Sequence, residues 1–272
     1  MTEEKRTRVL EHVGAVNLHI DVTTGSIEVR ASRAEGDVAQ VTLEPVFPGD
    51  EVALALIERA EIHMSGSNVR VIVPAPPGSG RRVVYGSHNV VVGNVIGNVV
   101  SVGDVYGGIF VGGNGEVRIG SVGGGTVHMG TPGQVRVTAM VPSDSHVTGK
   151  TVAGDMSVST DGEAEFAEVT FTSKNGDLRA VGARRVNAHT VAGDITASGA
   201  RWMQANSVSG DISAESLAGE LNARSVSGDI EVYAVADGSV TASTVSGDVR
   251  VTRSSGVNVS VNAGSVSGRV RT

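Results

Sequence analysis

The second half of the chain is built on a short phrase, Ser/Thr-Val-x-Gly-Asp, that returns at nearly even intervals. Six copies end in an aspartate and a seventh ends in Arg269, with Lys174 in place of the valine in the second copy. The aspartates are Asp155, Asp177, Asp194, Asp211, Asp229 and Asp248. Their spacings are 22, 17, 17, 18 and 19 residues, with 21 more to Arg269. Self-similarity at such a period is typical of stacked repeats, so we predict an all-β fold, a parallel β-solenoid or β-helix with coils of about 17–22 residues.

Each predicted coil has room for two short strands and two turns. A half-step copy of the phrase over residues 216–220 lies nine residues after Asp211 and nine before Asp229, which supports this division. After each Gly-Asp pair, apolar or small residues alternate with polar ones, as in strands with one buried face. The expected interior residues are Ile195, Ala197, Ile212, Ala214, Leu221, Ala223, Ile230, Val232, Val249 and Val251. The phrase valines Val191, Val208, Val226 and Val245 are expected in the same interior.

The six aspartates of the phrase are expected to stack along one edge of the solenoid, about 4.8 Å apart. One interpretation is a row of carboxylates for Ca²⁺, which prefers oxygen ligands. The other is turn chemistry, in which Gly adopts a positive φ and Asp hydrogen-bonds the nearby backbone. One carboxylate per coil supplies few of the roughly six to eight oxygens that Ca²⁺ takes, so turn chemistry is favoured and no metal site is predicted.

Residues 1–77 are predicted to form a strand-rich N-terminal region with one short helix. Residues 16–22, 25–30, 38–43 and 69–73 alternate between apolar and polar side chains with period two, which indicates half-buried strands. Residues 50–60 have helical character, and Asp50 is placed to cap that helix. The repeat domain is expected over 135–272, which leaves residues 78–134 as a Gly/Val/Asn-rich β insert between the two.

The insert has two interpretations. It carries an internal ten-residue repeat, in which residues 93–100 match 103–110, and it combines high β-propensity with low charge. These properties favour cross-β stacking, so a self-association element is one interpretation. Its candidate residues are Asn89, Val91, Val95, Ile96, Asn98, Val100, Val102, Val105, Tyr106, Ile109 and Phe110. The other interpretation, which is favoured, is a set of further ordered β-coils.

Composition excludes several classes of function. The 272 residues contain no cysteine, which rules out disulfides and thiolate metal sites. The formal net charge of −7 argues against a nucleic-acid partner, because such binding needs clustered Lys and Arg. The seven histidines lack metal-type spacing, and the chain has neither a nucleophile elbow nor a phosphate loop. We therefore predict no catalytic residues and no cofactor.

The chain contains no apolar stretch long enough to span a bilayer as a helix. Its first residues show no apolar segment of the kind found in secretory signals. A cytoplasmic protein without a membrane span is therefore expected.

The chain resembles two known families. Residues 9–77 and 135–272 resemble a bacterial β-strand-repeat family of unknown function that carries the label "putative adhesin", on the strength of the phrases above and of residues 24–29. That resemblance implies the solenoid fold and, by its label, adhesin-type binding. The insert resembles bacterial amyloid-signalling motifs and the RIP homotypic interaction motif in residues 100–103, with Ser101 where those motifs usually have Gln.

The expected function is that of a non-enzymatic structural or interaction protein. A β-solenoid scaffold would either self-associate, as an oligomer or filament, or present a flat face to an unknown protein. The candidate partner patch for an anionic partner is Arg184, Arg185, Arg201 and Trp202, since Arg184 and Arg201 lie 17 residues apart, which is one coil. The alternatives are an adhesin-type module for glycans or cell surfaces and, third, a polysaccharide-active enzyme.

Overall fold

The structure, a computed structural model, describes residues 5–33, 38–76 and 132–272, together with the backbone of six short strands between residues 84 and 129. Most of these residues lie in β-strands, and one short helix is present among them. The fold is a parallel β-solenoid, as predicted.

The N-terminal strands are β1 (Arg6–Val13), β2 (Asn17–Ser32), β3 (Val38–Pro45), β4 (Glu61–Ser65) and β5 (Asn68–Val73), with helix α1 (Glu51–Arg59) between β3 and β4. The predicted helix is confirmed together with its cap. A carboxylate oxygen of Asp50 accepts hydrogen bonds from the backbone N–H groups of Val52 and Ala53, each at 3.0 Å. The second oxygen accepts from the N–H of Gly133 at 2.7 Å, which ties the helix to the segment that enters the repeat domain.

Six strands are described in the insert: β6 (Val84–Tyr85), β7 (Val90–Val95), β8 (Val100–Val102), β9 (Ile109–Gly113), β10 (Val117–Ile119) and β11 (Val127–Met129). Strands β7, β9 and β11 pair in parallel, and so do β8 and β10. Val90 pairs with Ile109, Val100 with Val117, and Ile109 with Val127, which are offsets of 19, 17 and 18 residues. These offsets equal one solenoid coil rather than the ten-residue internal repeat, so the backbone favours further coils.

The remaining strands belong to the repeat. They are β12 (Val135–Pro142), β13 (His146–Thr160), β14 (Phe166–Thr172), β15 (Leu178–Val181), β16 (Ala183–His189), β17 (Ile195–Ser198), β18 (Trp202–Asn206), β19 (Ile212–Leu217), β20 (Glu220–Arg224), β21 (Ile230–Ala234), β22 (Gly238–Thr244), β23 (Val249–Arg253), β24 (Val259–Ser265) and β25 (Val270–Arg271). From β14 onwards each strand pairs in parallel with the second strand after it. The coil of two strands and two turns is therefore confirmed.

The N-terminal region shares its sheet with the repeat domain. The two predicted strands over residues 16–22 and 25–30 are joined in one strand, β2, which pairs in parallel with β13 along both of its halves. On its other side the two halves of β2 pair in parallel with β5 and β12. A side chain at Gly25 would lie 2.0 Å from the carbonyl oxygen of Val135, so only glycine lets these strands approach.

The core is a continuous column of small apolar side chains that runs from the N-terminal strands into the last coils. All ten residues expected in the interior after the Gly-Asp pairs are buried. The prediction for the valines of the phrase is wrong, because Val191, Val208 and Val226 are 44–45% exposed. The Ser or Thr before each valine is buried instead.

Hydrogen bonds explain why the polar residue faces inward. The buried hydroxyl of Thr190 donates to the carbonyl oxygen of Gly176 in the preceding coil, at 3.3 Å. Ser207, Ser225, Thr244 and Ser265 repeat this bond to the phrase glycine one coil earlier. Burial of a hydroxyl costs little free energy when the hydroxyl has a hydrogen-bond partner. The Ser or Thr can therefore face the interior at this turn of the coil, and the valine that follows it points to solvent.

The glycines of the phrase are required for close approach rather than for a positive φ. Of the seven phrase glycines only Gly193 and Gly247 have a positive φ, 157° and 159°, which is close to extended backbone, whereas the turn prediction requires a positive φ at every level. A side chain at Gly210 would lie 2.1 Å from the carbonyl oxygen of Gly193, and one at Gly228 would lie 2.1 Å from that of Gly210. The glycines therefore stack directly on one another from coil to coil.

Candidate binding surfaces

The predicted partner patch lies together at one end of β16 and β18. Arg185 pairs with Trp202 across adjacent coils, and the N–H of Arg201 donates to the carbonyl oxygen of Arg184 at 3.0 Å. These four side chains line an open surface groove of about 540 Å³, which we call the Arg–Trp groove. Its other lining residues are His146, Ala167 and Glu168.

The arginines of the Arg–Trp groove differ in how they are neutralised. Arg184 is paired with Asp144 and lies 4.0 Å from a carboxylate oxygen of Glu165. The guanidinium of Arg185 stacks on the ring of Trp202, 4.9 Å from the ring centre. Within the part of the chain that the structure describes, neither Arg185 nor Arg201 forms an ion pair. The groove therefore offers two guanidinium groups that form no ion pair within the described residues, although Glu168, the register partner of Arg185 on the preceding coil, also lines it.

The aspartates of the phrase stack in register and form hydrogen bonds between coils. One carboxylate oxygen of Asp177 accepts from the backbone N–H of Asp194 at 2.8 Å, and Asp194 accepts in the same way from Asp211. The ladder continues through Asp155, Asp229 and Asp248 and ends at the N–H of Arg269. The carboxylate thus bonds to the next coil, whereas turn chemistry predicted a bond within its own turn.

The structure places a row of exposed valines along the corner between the two strand stacks, and four of them, Val191, Val208, Val226 and Val245, are predicted from the sequence to lie in the core. Val152, Val191, Val208, Val226 and Val245 are each 43–48% exposed, and Val266 is 81% exposed. We call these residues, with Lys174 at the second level, the valine stripe. Backbone bonds such as Ser209 N–H to Val191 O, at 2.8 Å, hold its levels in register. The constant order of Ser or Thr before Val was the signal that could have revealed it.

The candidate self-association residues divide into two groups. Val91, Val95, Val100, Val102, Ile109 and Phe110 lie in insert strands whose backbone is described. Asn89, Ile96, Asn98, Val105 and Tyr106 lie outside the described residues.

Among the residues that the structure describes, His19 on β2 is the one whose titration the fold clearly changes. Burial, followed by the charge of Arg70 and then of Lys150, lowers its pKa from the ordinary 6.5, and Asp21 opposes this. In the folded protein His19 therefore stays neutral to lower pH than an exposed histidine.

Neither a metal cluster nor a membrane-spanning helix is evident in the described ranges. They contain no group of three or more His, Asp or Glu side chains that could hold a metal ion. They also contain no helix long and apolar enough to cross a bilayer.

The stacked coils of the repeat coincide with a known family. The family model described as Toastrack DUF4097 matches residues 115–272, which is more than half of the chain. The chain belongs to the Toastrack DUF4097 family. No curated protein matches this Toastrack chain.

The solved structures that are similar to this Toastrack protein have little sequence in common with it. A protein described as a "putative adhesin" from Bacteroides fragilis matches with a TM-score of 0.53 at 16% identity, over 100% of this chain and 98% of that one. Two proteins from Parabacteroides distasonis, a "putative lipid binding protein" and a "putative adhesin", match with TM-scores of 0.48 and 0.44. Each is 10% identical, over 100% of this chain and 98% of its own. The similarity to the first structure concerns the fold alone.

Proposed function

We propose that this Toastrack protein is a non-enzymatic binding scaffold whose flat strand face presents the Arg–Trp groove to an anionic group on a partner. The observation that carries the proposal is that two guanidinium groups, Arg185 and Arg201, lie in one open groove without an ion pair to any described residue, in a chain with net charge −7. On an acidic protein, such a local cationic site selects negative groups by charge.

The groove suits a carboxylate, sulfate or phosphate oxygen pair. A guanidinium binds such groups through two parallel hydrogen bonds, which a lysine cannot do. The stack on Trp202 holds Arg185 in place before a ligand arrives, so less conformational freedom is lost on binding. The groove is open to solvent and the described residues around it show no nucleophile beside a base, which supports binding rather than catalysis.

Trp202 is the only tryptophan of the chain, so its fluorescence reports on the groove alone. We expect a saturable change on titration with an acidic oligosaccharide, such as oligogalacturonate, and none with a neutral one. Arg201→Gln should weaken this binding at least tenfold, because one charge-assisted pair contributes about 1.5–3 kcal/mol. Arg224→Gln, on the same strand face but outside the groove, is the matched control. No response to the acidic probe, or an equal response in the Arg201→Gln variant, would contradict the proposal.

An adhesin-type module for glycans or cell surfaces is the second candidate. The observation that favours it is the Trp202 ring beside two arginines, because acidic sugars are held by an aromatic surface together with cations. The two candidates predict different locations. A cytoplasmic scaffold stays in the cytosolic fraction, whereas an adhesin must be found at the cell surface, and protein found only in cytosol would eliminate the adhesin.

Self-association through the insert is a further proposal, supported by its resemblance to amyloid-signalling motifs. Val95→Lys combined with Val105→Lys should lower light scattering of the concentrated protein if the insert drives assembly. Unchanged assembly in this double variant would remove the insert from consideration.

A further inference from the structure

We propose that a second copy of this chain packs along the valine stripe, with the two solenoids side by side and parallel. The two-fold axis of this dimer runs along the stripe. The inference rests on the order of side chains across the corner of the coil and is independent of the Arg–Trp groove.

The valine stripe is apolar, although it lies on the solvent-exposed surface of the solenoid, where polar side chains are expected. From Val152 to Val245 it covers six levels, roughly 24 Å at the usual strand spacing. The buried hydroxyls beside it show that the chain places a hydrogen-bonding residue inside and an apolar one outside at nearly every level. Long apolar strips on soluble proteins mark places where another surface binds.

The two sides of the stripe differ in charge: one carries an aspartate at each of six levels, and the other carries a cation, Lys150 or Arg224, at two of them. On one side lies the ladder of exposed aspartates, three positions after each stripe residue. On the other side, two positions before each stripe residue, lies a column that we call the basic flank. It consists of Lys150, Thr172, His189, Asn206, Arg224 and Ser243, which pair in register from coil to coil. The basic flank contains no carboxylate over these six levels.

This arrangement selects one symmetry. A two-fold axis along the stripe keeps the solenoids parallel and exchanges left and right, so that each aspartate ladder faces the basic flank of the other copy. Lys150 then lies at the level of the second copy's Asp155, and Arg224 at the level of its Asp229. An axis across the stripe would invert one solenoid and set aspartate against aspartate. Electrostatic complementarity of this kind fixes register and excludes the wrong arrangement.

Lys174 is the one charged residue within the stripe. The two-fold axis places it close to Lys174 of the second copy, so the two like charges must be accommodated. The exposed side chain of Lys174 has a long apolar stem and a mobile charged end. The stem can cover the valines while the ammonium group reaches the aspartate ladder of the second copy, which carries Asp177 at the same level. A lysine at this level is therefore compatible with the parallel arrangement.

Analytical ultracentrifugation of the full chain over a range of concentrations tests the association. Val226→Glu and Arg224→Glu should each raise the dimer dissociation constant at least tenfold, and salt should weaken the wild-type dimer. Val235→Glu and Arg253→Glu are the matched controls, because both residues are exposed and lie outside the stripe and its flanks. Both controls should dimerise like the wild type. Thermal unfolding of each variant monitors the fold.

Cysteine cross-linking tests the symmetry, since the chain has no cysteine of its own. In the parallel dimer each stripe residue faces the same residue of the second copy. The Val152→Cys variant and the Val245→Cys variant should therefore each form disulfide-linked dimers on oxidation. In the inverted dimer residue 152 of one copy faces residue 245 of the other. Disulfide-linked dimers would then form only when the Val152→Cys and Val245→Cys variants are mixed, and a single variant would cross-link to itself only at the middle levels.

Three results would overturn the proposal. The first is a wild-type chain that stays monomeric at the highest soluble concentration. The second is a dimer that Val226→Glu and Arg224→Glu leave unchanged, as expected if the insert drives assembly. The third is cross-linking of the Val152→Cys variant only with the Val245→Cys variant. Tenfold weakening with self-linking at both ends supports the proposal.

Discussion

Replacing a glycine of the central ladder by alanine tests why the repeat contains glycine at that position. In Gly210→Ala the new Cβ would lie 2.1 Å from the carbonyl oxygen of Gly193 and 2.6 Å from its carbon. Relief of this overlap requires the coils to separate locally by roughly 1 Å, beyond what packed atoms tolerate. Both neighbours of the contact are backbone, so no side chain can move aside.

Overpacking in Gly210→Ala should lower the free energy of unfolding by about 2–4 kcal/mol, in the upper range for such substitutions. The reduced conformational freedom of the unfolded chain should offset about 0.4–1 kcal/mol of this loss. For a chain of this size the net loss of about 1–3.6 kcal/mol corresponds to a fall in Tm of roughly 2–14 °C, measured by circular dichroism. Gly264→Ala is the matched control, because a Cβ there meets nothing within 4 Å, and it should leave Tm equal or slightly higher. A Gly210→Ala variant as stable as the wild type would refute the close-approach explanation.

Three further predictions concern single side chains. Thr190→Val keeps the shape of a fully buried side chain but removes its bond to the carbonyl of Gly176, so urea unfolding should show a loss of about 1 kcal/mol. Asp211→Ala removes the acceptor for the N–H of Asp229 and should cost about 0.5–1 kcal/mol by the same assay, whereas Asp211→Asn keeps an acceptor and should cost less. Because its folded pKa lies below the ordinary 6.5, His19 resists protonation in the fold, so its contribution to stability is lost as pH falls below about 6.5. The Tm of His19→Gln should therefore fall less between pH 8 and pH 5 than that of the wild type, and an equal fall would contradict this account.

Much of the fold could be predicted from sequence because it depends on local repetition. The interval between phrases predicts the coil length, and alternation after Gly-Asp predicts buried residues such as Ile212 and Ile230. The helix after Asp50 could be predicted because an N-cap aspartate and an apolar periodicity occur together. These signals are all contained within a few residues of one another.

The orientation of the valines could not be obtained by extending that alternation. Side chains alternate with period two only while the backbone stays extended, and the chain bends between Val191 and Ile195. Both residues are apolar and an even number of positions apart, yet Val191 is outside and Ile195 inside. What decides between them is the hydroxyl of Thr190 and the carbonyl it finds one coil away, which no local pattern shows.

The alternation of apolar and polar residues also could not predict which distant strands pair with each other. Strand β2 pairs with β13 from Asn17–His146 onwards, more than a hundred residues apart in sequence, so the N-terminal region joins the stack rather than preceding it. The Arg–Trp groove was within reach, because Arg184 and Arg201 are one coil apart and their register follows from the repeat. The stack of Arg185 on Trp202 follows from the same register.

Thiol labelling at two consecutive positions tests the orientation of the repeat phrase most directly. The natural chain has no cysteine, so Ser207→Cys and Val208→Cys each introduce a single reactive group. Ser207 is 6% exposed and Val208 is 44% exposed. At low concentration, position 208 should react with a thiol reagent at nearly the rate of a free thiol, and position 207 at least a hundredfold more slowly. Fast reaction at 207 with protection at 208 would contradict the account.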